Sequence, residues 1–412
     1  MASDAASPPA RFSIWSQVRA LAASPMAPYY FVAASVTVLV GIGSLMVLSS
    51  SAALAQSTQD SPYYFAIRQI VFLVLGIGFL ALLSRIKPQL LQTFGWAFWV
   101  LAVALLIAVQ TPLGVLYGGN RNWLLIGGIQ FQPSEFAKLA LIVWCGAIFH
   151  VKRGRLHEPW QLLVPIVPLG GLILALVLAG RDLGTGLIVG LIIASVMWFV
   201  GTPLRILLPF ASGALVLVTL LVYGSGNRMS RISVFLDPQS NTDLSSQPMA
   251  ALYALASGGW WGLGLGASKQ KWGGLKDGAH TDFIFAVIGE ELGLFGVLLV
   301  IAMFALLGWA GLEIAIRSDK MFNRVVAAGI TAWFLGQAVI NIFVVMHLLP
   351  VLGVPLPFVS YGGSALIASL MAVGVLLSLA RDTPDARAYL ASRKVPSRPR
   401  MTSVLAASRE DA

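Results

Sequence analysis

The sequence contains about ten apolar segments, each close to the roughly 20 residues that a helix needs to cross a bilayer. Only 11% of its residues are charged, whereas about a quarter of the residues of a soluble domain are charged. A soluble fold is therefore excluded. We predict an all-α polytopic membrane protein whose spans lie near 30–52, 65–84, 90–111, 134–151, 161–180, 183–201, 204–224, 283–311, 323–346 and 363–380.

The basic residues indicate how the chain lies in the membrane. They concentrate in short connectors on one side and in the C-terminal tail, a distribution that favours the cytosol for that side. An even number of spans then places both termini in the cytosol. We expect a cytosolic tail at 1–28 that is not a cleaved signal peptide, a membrane domain at 29–381, and a basic, disordered cytosolic tail at 382–412 near anionic lipid headgroups.

The net charge of +10 does not indicate nucleic acid as a partner, because the basic residues are distributed as membrane orientation requires. The single cysteine, Cys145, lies in an apolar run, and four histidines leave little scope for a structural zinc site. We assign no residue as a metal ligand.

Three connecting segments on the predicted outer side are rich in Gly, Pro and Trp. They are 112–133, 225–281 and 346–363, and the longest lies between the seventh and eighth spans. A connector of this length usually has a function of its own.

Glu135 and Lys138 open the fourth predicted span, where an ionised side chain costs about 2.5–3.5 kcal/mol if it reaches the membrane centre. Their spacing of three residues places them on one helix face, where they can pair. One interpretation is a structural ion pair that locks two helices together. The other is a cation, oriented by Glu135, that binds an anionic ligand at the outer surface.

Asp282 ends the long outer segment at the start of the eighth span. Thr281 or Asp282 would make a good N-cap, which is the structural interpretation. The alternative is a general base, because a carboxylate in a low dielectric has a raised pKa suited to taking a hydroxyl proton. His280 is then placed to tune that base or to help hold a divalent cation.

Glu290 and Glu291 lie about 12 Å deeper along the same span. At least one of them must be protonated or paired, and we expect a structural role with Arg68 of the second span as a candidate partner. Arg121, Arg228 and Arg231 add positive charge on the outer side and, with Lys138, suit a phosphate or diphosphate group.

Five sequence runs, in this order, resemble the SEDS family (shape, elongation, division and sporulation), whose best-known branches are FtsW and RodA. They are GNRNWLLIGGIQFQPSEFAKLAL, RDLGTG, FLDP, HTDFIFAVIGEELG and LLPVLGVPLPFVSYGGSAL. The run GLGLGASKQKW is more similar to the FtsW branch. The resemblance implies a ten-helix peptidoglycan glycosyltransferase in the plasma membrane, which polymerises lipid II on its outer face during septal wall synthesis.

The resemblance places the family's essential aspartate at Asp282 and its glutamate and lysine at Glu135 and Lys138. The remaining substrate-binding candidates are Arg121, Arg228, Arg231 and His280. The implied partners are lipid II, the glycan linked to undecaprenyl pyrophosphate, a class B penicillin-binding protein and other division proteins. A divalent cation, Mg²⁺ or Mn²⁺, stays open as a cofactor.

Some positions depart from the family pattern. Asn122 stands where an arginine is frequent, Arg181 replaces a common proline, and Phe343 and His347 are bulkier than the usual residues. Two other functions stay open on the sequence alone, namely a lipid II flippase or transporter and a membrane scaffold for division proteins. An elongation-type polymerase is the alternative within the family.

Overall fold

The computed structural model describes residues 23–58, 61–117, 120–155, 158–224, 226–239, 242–275 and 278–394. Within this part of the chain, nine helices are long and apolar enough to cross a membrane, and one further apolar helix is shorter. The predicted all-α polytopic fold is confirmed. The predicted tails at 1–28 and 382–412 lie largely outside the described residues.

The helices follow the predicted spans closely. They are α1 Ala27–Thr58, α2 Tyr64–Arg85, α3 Pro88–Thr93, α4 Gly95–Gln110, α5 Pro133–Val151, α6 Pro159–Pro165, α7 Gly171–Ala179, α8 Leu183–Val200, α9 Leu204–Tyr223, α10 Gly226–Leu236, α11 Thr242–Ser257, α12 Ile284–Arg317, α13 Met321–Val345, α14 Gly363–Arg381 and α15 Pro384–Lys394.

Two predicted spans are divided into separate helices, and the eighth is kinked at Gly293. The third is split at Phe94, so that α4 is about 24 Å long, short of the hydrocarbon thickness. Gly95 follows the break, and a Cβ there would lie 2.9 Å from the Ala147 Cβ of α5. The fifth span contains Pro165 and Pro168, and a π-helical turn at Ile166–Gly170 joins α6 to α7 because proline removes a helical hydrogen bond.

The central helices are α5, α13 and α14, most of whose side chains are buried. Helices α12 and α8 pack against α13, and α2 packs against α14. Helix α9 has no buried residue.

Two elements were not predicted. The segment after α4 forms a three-stranded antiparallel sheet of β1 Gly114–Tyr117, β2 Asn120–Ile126 and β3 Ile129–Phe131, in the order β1-β2-β3. The start of the tail predicted to be disordered is helix α15, and Arg387 on this helix pairs with Asp319 at 2.6 Å. The sheet and the N-terminal ends of α5, α8, α12 and α14 lie at one end of the bundle, which we call the sheet end.

Candidate active site

Asp282 lies at the sheet end, in the turn 278–283 before α12, and its side chain is partly buried. Helix α12 has Phe283 at its N-cap position and no side-chain cap, so the N-cap role considered for Thr281 or Asp282 is not found. Among the residues that the structure describes, none donates a hydrogen bond to the Asp282 carboxylate. Its two oxygens are therefore not committed to holding the fold.

The backbone beneath this carboxylate is fixed. Each carbonyl from residue 280 to residue 282 accepts one hydrogen bond from α13 or from the segment before α14: Tyr361 N to His280 O at 2.8 Å, Ser360 Oγ to Thr281 O at 2.6 Å, and Asn341 Nδ2 to Asp282 O at 2.8 Å.

The surroundings of Asp282 suit a base. The pKa of its carboxyl is raised from 3.8 to about 6 as the net result of three causes: burial raises it, the positive charge of Arg231 lowers it, and the negative charge of Asp182 raises it. Burial is the largest of these effects, because an ionised carboxylate loses hydration in a low dielectric. A carboxyl with this pKa is mostly ionised at neutral pH and still takes a proton readily.

Arg231 on α10 is the predicted cation that the structure brings to Asp282. Its Nη1 donates to the carbonyl of Val351 at 3.2 Å, and it lines a groove that also contains Phe235 and His347. The ring of His347 stacks on Phe235 with centroids 5.1 Å apart.

Asp182 connects the sheet to α8. Its Oδ1 accepts from Thr185 N at 2.9 Å, which caps α8, and its Oδ2 accepts from Asn122 Nδ2 at 2.9 Å. Asn122 stands where an arginine is common in the family. The buried carboxylate of Asp182 therefore has a neutral amide as its partner here.

Two other predicted arginines bind backbone carbonyls. Arg121 on β2 donates from Nη1 to Gln110 O at 3.2 Å, at the end of α4. Arg228 donates to Leu221 O at 2.8 Å and to Arg181 O at 3.2 Å.

Lys138 is buried, with a relative exposure of 1%. Its Nζ lies 2.9 Å from Glu135 Oε1 and 3.1 Å from Gln337 Oε1 on α13, and 4.6 Å from the centre of the Trp333 ring. Of the two interpretations left open by the sequence, this geometry matches the structural ion pair, and the contacts of Lys138 with Gln337 and Trp333 join α5 to α13.

His280 is buried against aromatic rings, 4.9 Å from the centre of Phe65 and 5.4 Å from that of Tyr361. In the described part of the chain, no group of three or more His, Cys, Asp or Glu side chains could hold a metal ion.

The expected pairing of Arg68 with the two glutamates of α12 is wrong. Arg68 Nη1 donates to Tyr64 OH at 2.9 Å, whereas Glu291 Oε1 lies 2.9 Å from Lys271 Nζ. Lys271 belongs to the segment 258–275, which folds against α12 where Gly293 breaks the helix with φ 65°. The partner therefore comes from a loop and could not be found by pairing spans.

Sequence reasoning also missed two amide side chains of α13. Gln337 and Asn341 are buried and donate to the carbonyls of Pro355 and Val354 at 2.8 Å. The available signal was two amides spaced four residues apart within an apolar helix.

Known proteins agree with this architecture. The family model described as "Cell cycle protein", which covers FtsW, RodA and SpoVE, matches residues 30–384. The chain belongs to this family.

A relative from Mycobacterium tuberculosis named "Probable peptidoglycan glycosyltransferase FtsW" is 35% identical over 389 residues, 93% of this chain and 72% of that protein. Two solved structures are also similar. A chain from a study of polymerization and crosslinking by a peptidoglycan synthase complex is 28% identical, with a TM-score of 0.71 over 86% of this chain and 97% of that one. Thermus thermophilus RodA is 27% identical, with a TM-score of 0.65 over 86% and 96%.

Proposed function

We propose that this membrane protein is a peptidoglycan glycosyltransferase of the FtsW type that polymerises lipid II, with Asp282 as its general base. The observation that carries the proposal is a carboxylate at the sheet end whose backbone is fixed and whose oxygens accept no hydrogen bond from the described residues. Family membership supports the activity, since relatives that this chain matches over 72% and 91% of their length are named for it.

In the proposed reaction, the 4-hydroxyl of the GlcNAc on one lipid II attacks C1 of the MurNAc that ends the growing glycan. The hydroxyl proton passes to Asp282 as the new C1–O bond forms. The bond from C1 to the diphosphate breaks, and its electron pair leaves with undecaprenyl pyrophosphate. An α-linked donor and a β-1,4 product require inversion by a single displacement, so one carboxylate base is sufficient.

The leaving diphosphate needs charge stabilisation more than protonation. Arg231 supports this role best, because its charge already acts on Asp282 and it lines the adjacent groove. Arg121 and Arg228 are not among the charges that shift the pKa of Asp282, and the ammonium of Lys138 is paired with Glu135. We therefore propose that Lys138 and Glu135 stabilise the helices around the site and do not bind the diphosphate.

A class B penicillin-binding protein is the proposed partner, and the division septum the proposed location. The first is supported by the similar chain from a complex that combines polymerization and crosslinking. The second is supported by the FtsW relatives and would be tested by the position, septal or lateral, of a fluorescent fusion.

The test of the base is purified Asp282→Asn protein supplied with labelled lipid II. The amide keeps the shape but cannot take the proton, so polymer formation should fall by about 10²–10⁴-fold. Polymer formed at the wild-type rate would exclude Asp282 as the base. Polymer formed by the wild type in this single-component assay would also distinguish an enzyme from a transporter or a scaffold.

A further inference from the structure

The amide of Asn341 lies between the proposed base and the segment that faces it. Its Nδ2 donates to Asp282 O and to Val354 O, each at 2.8 Å. A primary amide has two N–H donors, and both are used here. One buried side chain therefore joins the base-bearing turn to the segment 353–355.

That segment is the wall next to the carboxylate. Asp282 Oδ2 lies 3.9 Å from the position that a Cβ would occupy on Gly353, whose φ is +70°. Because Asn341 holds the residue after Gly353 and the peptide of Asp282 together, it sets the spacing between the carboxylate and this wall.

A second amide on α13 makes a similar contact. One turn earlier, Gln337 donates to Pro355 O at 2.8 Å and accepts from Lys138 Nζ at 3.1 Å. Two amides on successive turns thus hold two successive carbonyls, 354 and 355, and the first of the two amides is oriented by the ion pair on α5.

We propose that Asn341 is a positioning residue for the proton transfer, acting through Asp282 without contacting the substrate. This inference rests on the proposed role of Asp282 as base. Displacement of a reacting group by about 1 Å costs on the order of 10²-fold in rate, so a hydrogen bond that fixes the base affects turnover more than substrate binding.

The test compares Asn341→Leu with Asn323→Leu. Both asparagines are buried on α13, and each has an amide oxygen without a hydrogen-bond partner among the described residues. Asn323 donates instead to Asp382 at 2.8 Å, at the opposite end of the helix. Asn341→Leu should lower kcat for lipid II polymerisation by about 10–100-fold and leave KM within about threefold.

The pH profile gives a readout that lost stability alone would not produce. A loosened turn admits water to the carboxylate, so the acid limb of the Asn341→Leu rate profile should move to lower pH. Asn323→Leu should show a comparable fall in thermal stability with kcat and the acid limb unchanged. Equal kcat losses in the two variants would overturn the inference.

A double variant separates this inference from the proposed function. If Asn341 acts through Asp282, Asp282→Asn/Asn341→Leu should be no slower than Asp282→Asn, whose residual rate is measured in long incubations. Full activity of Asp282→Asn would overturn the proposed function itself. Two results would overturn only the role of Asn341, provided that Asp282→Asn is severely impaired. One is a double variant in which the losses of the two single variants multiply. The other is a fully active Asn341→Leu.

Discussion

Asp282 and Glu291 lie nine residues apart in one segment, but their carboxylates have opposite surroundings. The oxygens of Glu291 accept from Lys271 at 2.9 Å and from Ser49 at 2.7 Å, and its side chain is fully buried. Asp282 has its backbone carbonyl held by Asn341 instead. A carboxylate whose oxygens are all occupied holds the fold, whereas one held only through its peptide can exchange a proton with a substrate.

The largest expected effect on stability comes from Lys271→Met, which leaves Glu291 buried without its cation. Breaking a buried pair in this way costs about 3–5 kcal/mol of the free energy of unfolding. Thermal unfolding in detergent would measure it. Arg317→Met is the matched control, because its pair with Glu313 is about one-quarter exposed, at 28% and 26%, and is worth about 0–1 kcal/mol. Equal losses in the two variants would contradict the structural role of Lys271.

A smaller effect is expected when both partners are removed. In Lys271→Met/Glu291→Leu no buried charge is left unpaired at this position, so the protein should recover most of the stability lost in Lys271→Met. The same unfolding measurement applies. A double variant as unstable as Lys271→Met would show that the segment 258–275 depends on the pair itself.

The third expected effect concerns the pH dependence of stability. A carboxyl whose folded pKa is about 6 and whose ordinary pKa is 3.8 binds more protons in the folded state between these values. Wild-type stability should therefore fall as the pH rises from about 4 to 6, relative to Asp282→Asn. Melting temperatures of the two proteins should coincide below pH 4 and differ above pH 6. A constant difference would show that Asp282 is not desolvated in the folded protein.

The sequence predicted the apolar helices, nine of which are long enough to cross a membrane among the described residues, because bilayer thickness and composition determine such helices almost alone. Glu135 and Lys138 could be paired in advance, since three residues on a helix place them on one face. The Lys271–Glu291 pair could not, because Lys271 comes from a loop whose path depends on close backbone approach at Gly262 and Gly293.

The same reasoning explains which residues of the candidate site could be predicted from the sequence. Asp282 could be selected because a carboxylate beside a membrane span needs a reason to be there. Asn341 was overlooked because an amide carries no charge, and its role depends on Val354, which is distant from Asp282 in the chain. The sheet was not predicted because its strands are short and lie in a glycine-rich segment that was interpreted as a connector.

The central claim is that the ionised carboxylate of Asp282 takes the acceptor proton. The most direct test is kcat/KM for lipid II polymerisation between pH 4.5 and 8.5, because kcat/KM reports the ionisation of the free protein. The base is active only when deprotonated, so kcat/KM should be constant above pH 7 and fall about tenfold per pH unit well below a midpoint near pH 6, the pKa of the Asp282 carboxyl. A kcat/KM that stays constant down to pH 4.5 would contradict the claim.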